Sequence, residues 1–548
     1  MTVTTTGRRG LLRGAAAAGG LAVAGSALPY DLALAQGAGP GSTLRVGMTA
    51  SAVPLANGVP DQGGEGHRFM GITLFDQLVQ WDLSKYDAPA VQRPGLATAW
   101  RVDPADPRRW VITLREGVRF HDGKVMTAED VVFSYDRAFR NDAPHFDPRA
   151  AAQARIRMPT IAAWRAEGPN TFVLETTRPD SLVPFGLTWV GITHQGAWEA
   201  AGRDWDRFMQ RAVGTGPWRM ESFSIRERCV MTRNADYWDA GRVPKTARLV
   251  LLPLPEANTR VAALRSGQVD FIEAPPPDAI PSLRQAGFQV VSNRYPHNWT
   301  WHFSMLEGSP WRDVRIRRAA NLAIDRKGMR EMLGGMMLEG SGLVPPGHPW
   351  HGSPRDPVRT DPAAARRLLA EAGFSTRTPL RTKVTISPSG SGQMQPLPMN
   401  EAVQQNLKEV GIEVAFEVIE WNALLGIWRE GAKAPSNRGV SAINISYGAF
   451  DPFTFAVRFL KTEMVPPASN NWGHFSDADY DALMDRIYAT FEPVLQERLL
   501  KDLHEKLVDD RLFLFVAHDM NPRAMSARVK GFVQAQSWFQ DLTPISIG

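Results

Sequence analysis

The chain has 548 residues, of which 43% are hydrophobic and 22% charged, a composition typical of soluble globular proteins. Its 62 basic and 57 acidic residues leave a formal net charge of +5, too small an excess to indicate a nucleic-acid partner. A chain of this length exceeds one ordinary hydrophobic core, because domains average roughly 150 residues, and it predicts two or three domains.

Residues 1–35 have the features of a twin-arginine export signal. Arg8 and Arg9 precede a weakly apolar stretch, and Ala33 and Ala35 provide a cleavage site of the small-x-small type. The apolar stretch is too short and too rich in glycine to be a good membrane span. We therefore predict export by the twin-arginine route to the periplasm, with cleavage after Ala35.

The first elements of the mature chain alternate between strand and helix. "STLRVGMTA" predicts a strand, and "RRWVITLREGVRF" at 108–120 predicts a hairpin that turns at Glu116-Gly117. A tight turn at Asp122-Gly123 leads into a helix capped by Thr127, with Asp130 in the capping-box position. The single cysteine, Cys229, lies in an alternating stretch and is predicted to be a buried strand residue rather than a nucleophile.

The second half of the mature chain continues the α/β alternation. The densest basic run, 312–330, has apolar residues at helical spacing and predicts a helix with a solvated basic face. Asp361 caps a helix that Pro362 opens, and Gly411 ends another before a strand. Two further helices are predicted at 476–490 and 492–510.

Motifs for catalysis or metal binding are incomplete. "HEKLV" at 504–508 has Val508 where a zinc-binding helix needs its second histidine, so His504 is expected on a solvated helix face. The sequence contains no G-x-S-x-G elbow, Walker A loop or dinucleotide fingerprint. We predict no catalytic residues, no metal and no cofactor, and therefore no enzyme; an exported hydrolase is the weakest alternative.

A collinear set of short motifs covers nearly the whole mature chain. The main one, residues 96–137, contains "LATAW", "LREGVRFHDG" and "TAEDVVFS". The others are "GTGPW" at 214–218, "RNADYWDAGRVPK" at 233–245, "RVAALRSGQVDFI" at 260–272, "DVRIRRAANLAIDR" at 313–326, "DPAAARRLLAEAGF" at 361–374 and "VQQNLKEVGIEV" at 403–414. In this order they resemble the extracytoplasmic solute-binding proteins of ABC importers, in the peptide/opine/nickel group called solute-binding family 5.

The resemblance implies an α/β, two-lobed periplasmic binding protein fold of type II, in its large class, with a hinged cleft between the lobes. Lobe I would hold residues 36–292 and 517–548, with an inserted subdomain at about 83–212, and lobe II would hold 293–516. Such a protein would be a monomer that captures a small-molecule or peptide-like ligand and delivers it transiently to a membrane permease. Service as the partner of a chemoreceptor or sensor kinase is the alternative.

The loop "NISYGAFDPF" at 444–453 bears on the ligand. When Asp451-Pro452 is placed on the acid-Pro pair of family members that bind free peptides, Gly448 takes the position of their ammonium-binding aspartate. Dipeptide binders also carry an arginine for the peptide carboxylate, whereas no Arg or Lys occurs between Ser387 and Ala402. We predict that the protein does not bind ordinary short peptides by their termini.

Aromatic residues offer another means of holding a ligand, since the chain has 17 tryptophans. Such side chains suit a cleft that stacks sugars, aromatic rings or amphipathic solutes, and core packing is the alternative for each tryptophan. Opine-like, oligosaccharide or aromatic solutes fit the missing anchors better than peptides do. The predicted ligand-binding residues are Trp299, Trp301, Trp421, Tyr447, Gly448, Phe450, Asp451 and Trp472.

Overall fold

Three larger β-sheets organise the part of the chain that the computed structural model describes, namely residues 43–55, 66–295, 297–390 and 395–548. The predicted export signal, residues 1–35, lies outside these ranges. Within them, no helix combines the length and the apolar character needed to cross a membrane.

The first sheet contains strands from both ends of the chain. Its central strand, Thr43–Met48, runs parallel to Arg248–Pro253 on one side and to Phe271–Glu273 on the other. Cys229 is fully buried in a neighbouring strand, as predicted. In spatial order the strands are Gln289–Val291, Arg523–Met525, Phe271–Glu273, Thr43–Met48, Arg248–Pro253, Arg228–Arg233 and Trp218–Ser224.

A smaller sheet, here called the insert sheet, is antiparallel throughout. The prediction of a hairpin within 108–120 is wrong, because Asp106–Leu114 pairs with neighbouring strands on both sides and leaves no free edge. Val118 and Phe120, after the predicted turn, pack into the core beneath the sheet. In spatial order its strands are Ala97–Asp103, Asp106–Leu114, Thr171–Thr176 and Ile161–Ala166.

The helix that follows the insert sheet's second strand begins as the sequence predicts. Gly123 has φ +95°, a value that favours glycine, and the helix runs over Ala128–Phe139. The backbone N–H of Thr127 donates to the Asp130 carboxylate at 2.9 Å, which completes the capping box.

All strands of the remaining large sheet, here called the second sheet, come from the part of the chain between two crossings from the first sheet. The chain crosses between Val291 and His297 and returns between Asp519 and Arg523. The predicted end of lobe II, residue 516, therefore falls inside a strand of this sheet. In spatial order the strands are Met337–Glu339, Phe513–Asp519, His297–Phe303, Ala442–Gly448, Leu380–Ile386 and Ile412–Val418.

Helices cover the faces of the sheets, and their caps follow the sequence. Asp361 accepts from the N–H of Ala364 at 2.9 Å, and Gly411, at φ +107°, ends the helix before Ile412–Val418. In the basic run 312–330, Arg315, Lys327 and Arg330 are exposed as expected, whereas Arg317 and Arg326 are buried. Arg326 donates to the carbonyl of Phe515 at 2.7 Å. The longer helices include Pro148–Ala154, Gln195–Ala200, Ala257–Arg265, Ile280–Gln285, Val314–Ala323, Arg326–Met332, Pro362–Glu371, Pro396–Val410, Trp421–Glu430, Ala478–Ala489 and Pro493–Asp509.

Hydrogen bonds connect the insert-sheet region, about residues 83–212, to the helices that accompany the second sheet. The backbone N–H of Ser181 donates to the carbonyl of Tyr488 at 2.8 Å, and the Ser181 hydroxyl accepts from the Gln496 amide at 2.7 Å. Arg178 forms an ion pair with Glu463 nearby. The two sides are therefore in contact away from the chain crossings.

Candidate functional site

A cavity of about 70 Å³ lies where three parts of the fold meet. The insert-sheet region supplies Gln153, Arg157 and Trp189, and the C-terminal segment supplies Trp538. The end of strand Ala442–Gly448 and the elements beside it supply the opposite wall, which includes Trp421, Trp428, Arg429, Tyr447, Gly448, Phe450 and Arg458. A ligand here would touch parts of the chain that lie on both sides of the two crossings.

The loop after strand Ala442–Gly448 folds an aromatic ring over a glycine. A β-carbon built on Gly448 would overlap the ring of Phe450. That ring also stacks on Trp538, with centroids 6.2 Å apart and planes within 5°. Phe450 thus forms an aromatic contact between the loop after strand Ala442–Gly448, on the side of the second sheet, and the C-terminal segment.

Asp451 is a structural residue of this loop. It is buried, and its carboxylate accepts from the backbone N–H of Thr454 at 2.7 Å, while its own N–H donates to the Thr454 hydroxyl at 3.1 Å. Burial raises the pKa of Asp451, against the opposing effect of these bonds. These contacts fix the start of the helical segment Phe453–Val457, and Asp451 itself is not among the lining residues.

Of the eight predicted site residues, four line the cavity and four do not. Trp421, Tyr447, Gly448 and Phe450 line the cavity. Trp472 instead lines a neighbouring space of about 20 Å³ beside His302 and Phe459. The two spaces share Asn470 as a lining residue, so Trp472 lies one side chain away from the cavity.

Trp299 and Trp301 belong to the core. Both lie in strand His297–Phe303, which has pairing partners on both edges, and both pack in the hydrophobic cluster beneath the second sheet. The indole N–H of Trp301 donates to Asn400 at 3.0 Å, which satisfies it within that core. Of the alternatives weighed from the sequence, core packing describes these two tryptophans.

Arg458 is the most unusual side chain of the cavity wall. It is 8% exposed, yet among the described residues it has no hydrogen-bond or ion-pair partner, and its buried Nε is unsatisfied. Aromatic rings hold it instead, because the guanidinium carbon lies 4.4 Å from the centroid of Phe459 and 5.2 Å from that of Tyr447. Burial lowers the pKa of Arg458 to about 10, which leaves it charged at neutral pH.

Two further arginines line the same cavity. Arg157 lies 4.1 Å from the ring centroid of Trp189, and its Nη1 donates to Gln153, while its buried Nε has no partner. Burial, with the neighbouring charge of Arg458, lowers the pKa of Arg157 to about 9. Arg429 is exposed at the rim. Because no carboxylate occurs among the described lining residues, the wall is positively charged.

Sequence reasoning missed the arginines and three of the aromatic residues, Trp189, Trp428 and Trp538. One signal was present: Arg458 is the single charged residue in the apolar run "PFTFAVRFL", directly after the loop that was singled out. A lone arginine in an apolar run predicts a buried charge, and buried charges require a partner or a function. No comparable signal marks Arg157 or Trp538, which the fold brings in from distant segments.

No cluster of three or more histidine, cysteine, aspartate or glutamate side chains within the described ranges has the geometry to hold a metal ion.

The fold and the cavity define a class of protein: two lobes joined by a double crossing, with a ligand-sized site between them. Such proteins capture a ligand by closing around it.

Comparisons with known proteins identify the family. A sequence profile described as bacterial extracellular solute-binding proteins, family 5 Middle, matches residues 92–463. The chain belongs to this family. It is 24% identical over 493 residues to heme-binding protein A of Haemophilus influenzae, which covers 86% of this chain and 87% of that protein.

Solved structures show the same fold. A dipeptide-binding protein from a Pseudoalteromonas species, in complex with Met-Leu, has a TM-score of 0.79 and 21% identity, and covers 92% of this chain and 100% of that one. A periplasmic binding protein of Helicobacter pylori, in complex with the peptide STSA, has a TM-score of 0.78 and 19% identity, and covers 92% and 98%. The predicted family and two-lobed fold are confirmed.

The predicted role is confirmed at the level of the family: the chain is a bacterial extracellular solute-binding protein of family 5. Members of the family are periplasmic proteins that bind small ligands or peptides and deliver them to a permease.

Proposed function

We propose that the protein captures a small organic solute in the cavity between the two lobes, in the periplasm, and presents it to an inner-membrane permease as a monomer without chemical change. The observation that carries this proposal is that residues from both sides of the double crossing line one cavity, Arg157 and Trp189 on one side and Tyr447 and Arg458 on the other. A ligand that touches both sides stabilises the closed form relative to the open one.

The solute is not an ordinary short peptide held by its termini. The position expected to carry an ammonium-binding aspartate is Gly448, and the Phe450 ring occupies the space that its side chain would need. A peptide ammonium placed among the cavity arginines would meet charges of its own sign, and no carboxylate among the described lining residues. Part of the segment 387–402, where the carboxylate-binding arginine was sought, lies outside the described residues, but its sequence contains no Arg or Lys.

Mass spectrometry of the ligand released on denaturing the purified protein tests the capture of a solute. We expect one small organic compound in near-stoichiometric amount, and calorimetry with di- to pentapeptides should detect no binding. Micromolar or tighter binding of these peptides would contradict the second part of the proposal.

Export by the twin-arginine route is the remaining part of the proposal. The residues that carry it are Arg8 and Arg9. We expect the Arg8→Lys, Arg9→Lys double variant to accumulate as a cytoplasmic precursor, while the same change at Arg13 leaves export intact. Normal export of the double variant would contradict the route without affecting the binding role.

A further inference from the structure

We propose that the solute is an anion, and that its carboxylate or phosphate group binds Arg458 and Arg157 in the cavity. This inference rests on the proposed function, since it names the chemical class of the ligand of that same site. The observation that carries it is the juxtaposition of a buried arginine, Arg458, and a half-buried one, Arg157, both held by aromatic rings, on a wall whose described lining residues include no carboxylate.

Several buried donors of the cavity wall lack acceptors. The Nε atoms of Arg458 and Arg157 are buried and unsatisfied, and so are the indole N–H groups of Trp428 and Trp538, which line the same space. A buried donor without a partner costs free energy, and a buried charge without one costs more. A ligand that supplies several acceptor atoms and a negative charge removes these costs together.

The geometry of the arginines suits a planar or branched anion. The Arg458 guanidinium lies against the rings of Phe459 and Tyr447, and no described residue accepts a hydrogen bond from it. Arg157 lies against Trp189 and uses its Nη1 to donate to Gln153, which leaves its Nη2 for the ligand. Carboxylates and phosphates bind the N–H edges of guanidinium groups with two parallel hydrogen bonds.

Of the described carboxylates, that of Asp451 acts electrostatically on both arginines. It favours the charged forms of Arg458 and Arg157, but it forms no ion pair with either one among the described residues. Its carboxylate already accepts from Thr454, where it holds the loop. Among the described residues, three arginines line the cavity and no carboxylate does, so the charge of the wall is positive.

The size of the cavity fits an anionic group with a small body. About 70 Å³ is several times the ~10–15 Å³ that admits one water molecule. The rings of Trp421, Tyr447 and Phe450 would then pack against the uncharged part of the solute.

The test uses inorganic phosphate and acetate as probes, at constant ionic strength with chloride as the reference. We expect one of the two, at about ten times its Kd, to raise the melting temperature of the ligand-free protein by roughly 1–2 °C. The shift should be lost in Arg458→Gln and kept in Arg438→Gln, which removes an exposed arginine of the same lobe. The probe that acts separates a carboxylate from a phosphate ligand.

A second readout excludes a merely structural role for Arg458. Removing an unpaired buried charge should leave the melting temperature of the probe-free protein unchanged or raise it, whereas removal of a structural residue lowers it. An equal probe-induced shift in Arg458→Gln, or no shift in the wild type with either probe, overturns the inference.

The released ligand separates this inference from the proposed function. A ligand that carries a carboxylate or phosphate supports both. A neutral or cationic ligand in the cavity overturns the anionic class and leaves solute capture standing. Purified protein that neither releases nor binds any small solute contradicts the proposed function itself.

Discussion

The ring of Phe450 lies over the α-carbon of Gly448, so that no side chain fits at position 448 while the ring keeps this position. Phe450 reaches on to stack against Trp538 of the C-terminal segment. The missing carboxylate and the aromatic contact between the lobes are therefore one feature, because the glycine is what allows the ring to take this position.

The first prediction concerns this pair. Gly448→Asp should force Phe450 out of its place and destabilise the protein by about 1–3 kcal/mol, as overpacking does in a closely packed site. Chemical denaturation would measure the loss. When the Phe450 ring is absent, as in Phe450→Ala, adding Gly448→Asp should cost less stability than it does in the wild type. Equal costs in the two backgrounds would contradict the steric explanation.

A second prediction concerns acid. His297, His302, His504 and His518 are buried, and burial lowers the pKa of each to about 3. The unfolded chain, whose histidines titrate near 6.5, binds more protons between these values, so folding stability falls as the pH falls below about 6.5. We expect a loss of about 1 kcal/mol for each histidine between pH 6.5 and 5.5.

Denaturation at several pH values measures this slope. His504→Gln should make the slope shallower, even though the variant begins from a lower stability, because one buried neutral imidazole is gone. A stability profile that is flat between pH 7 and 5.5 would contradict the prediction.

The third prediction compares two contacts between the insert-sheet region and the second-sheet side. Ser181 is buried, and its hydroxyl donates to the carbonyl of Ile487 at 2.9 Å and accepts from the Gln496 amide at 2.7 Å. The Arg178–Glu463 pair is partly exposed, with 32% and 46% of the two side chains accessible. Exposed pairs contribute about 0–1 kcal/mol, and buried hydrogen bonds about 0.5–1.5 kcal/mol with a further cost when a partner is left unsatisfied.

Ser181→Ala should therefore shift the closed population more than Glu463→Gln does. Small-angle scattering of the ligand-free protein would report the difference as a larger radius of gyration for Ser181→Ala. An equal or larger effect of Glu463→Gln would show that the exposed ion pair, and not the buried serine, holds the two sides together.

The fourth prediction concerns the buried ion pair of the first lobe. Arg68 and Glu273 are both inaccessible to solvent, and they bind through two contacts of 2.5 and 2.9 Å. Glu273→Gln leaves the arginine charge uncompensated and should cost about 3–5 kcal/mol. The control, Glu413→Gln, breaks a pair that is 75% and 43% exposed and should cost less than about 1 kcal/mol. Thermal unfolding of both variants would measure the two losses of stability. Similar losses would contradict the conclusion that burial makes the Arg68–Glu273 pair the more important one.

Local chemistry made parts of this fold predictable. The caps at Thr127 and Asp361 depend on residues three positions away, so the sequence alone contains the whole interaction. The hairpin within 108–120 was wrong because the edge of Asp106–Leu114 pairs with Thr171–Thr176, which lies far along the chain. Pairing of that kind is not contained in a local alternation pattern.

Burial of charged and aromatic side chains was the harder part. Arg326 and His504 lie on helices with amphipathic sequences, and both are buried by tertiary contacts on the side that looked polar. Arg326 contacts Phe515 of the second sheet, whereas His504 is covered by the segment that contains Leu343 and His351. The loop residues Tyr447 and Phe450 could be placed at the site by resemblance to a family motif. Arg157 and Trp538 reach it through tertiary packing alone, which no spacing rule anticipates.

The buried state of Cys229 has a practical consequence for measuring motion. Burial in the first sheet raises the pKa of its thiol, so the chain's one natural cysteine is protonated and shielded from labelling reagents. A pair of surface cysteines, one on each lobe, would thus accept a donor and an acceptor dye without background. Distance changes between single molecules could then be followed in the otherwise unaltered protein as a solute is added.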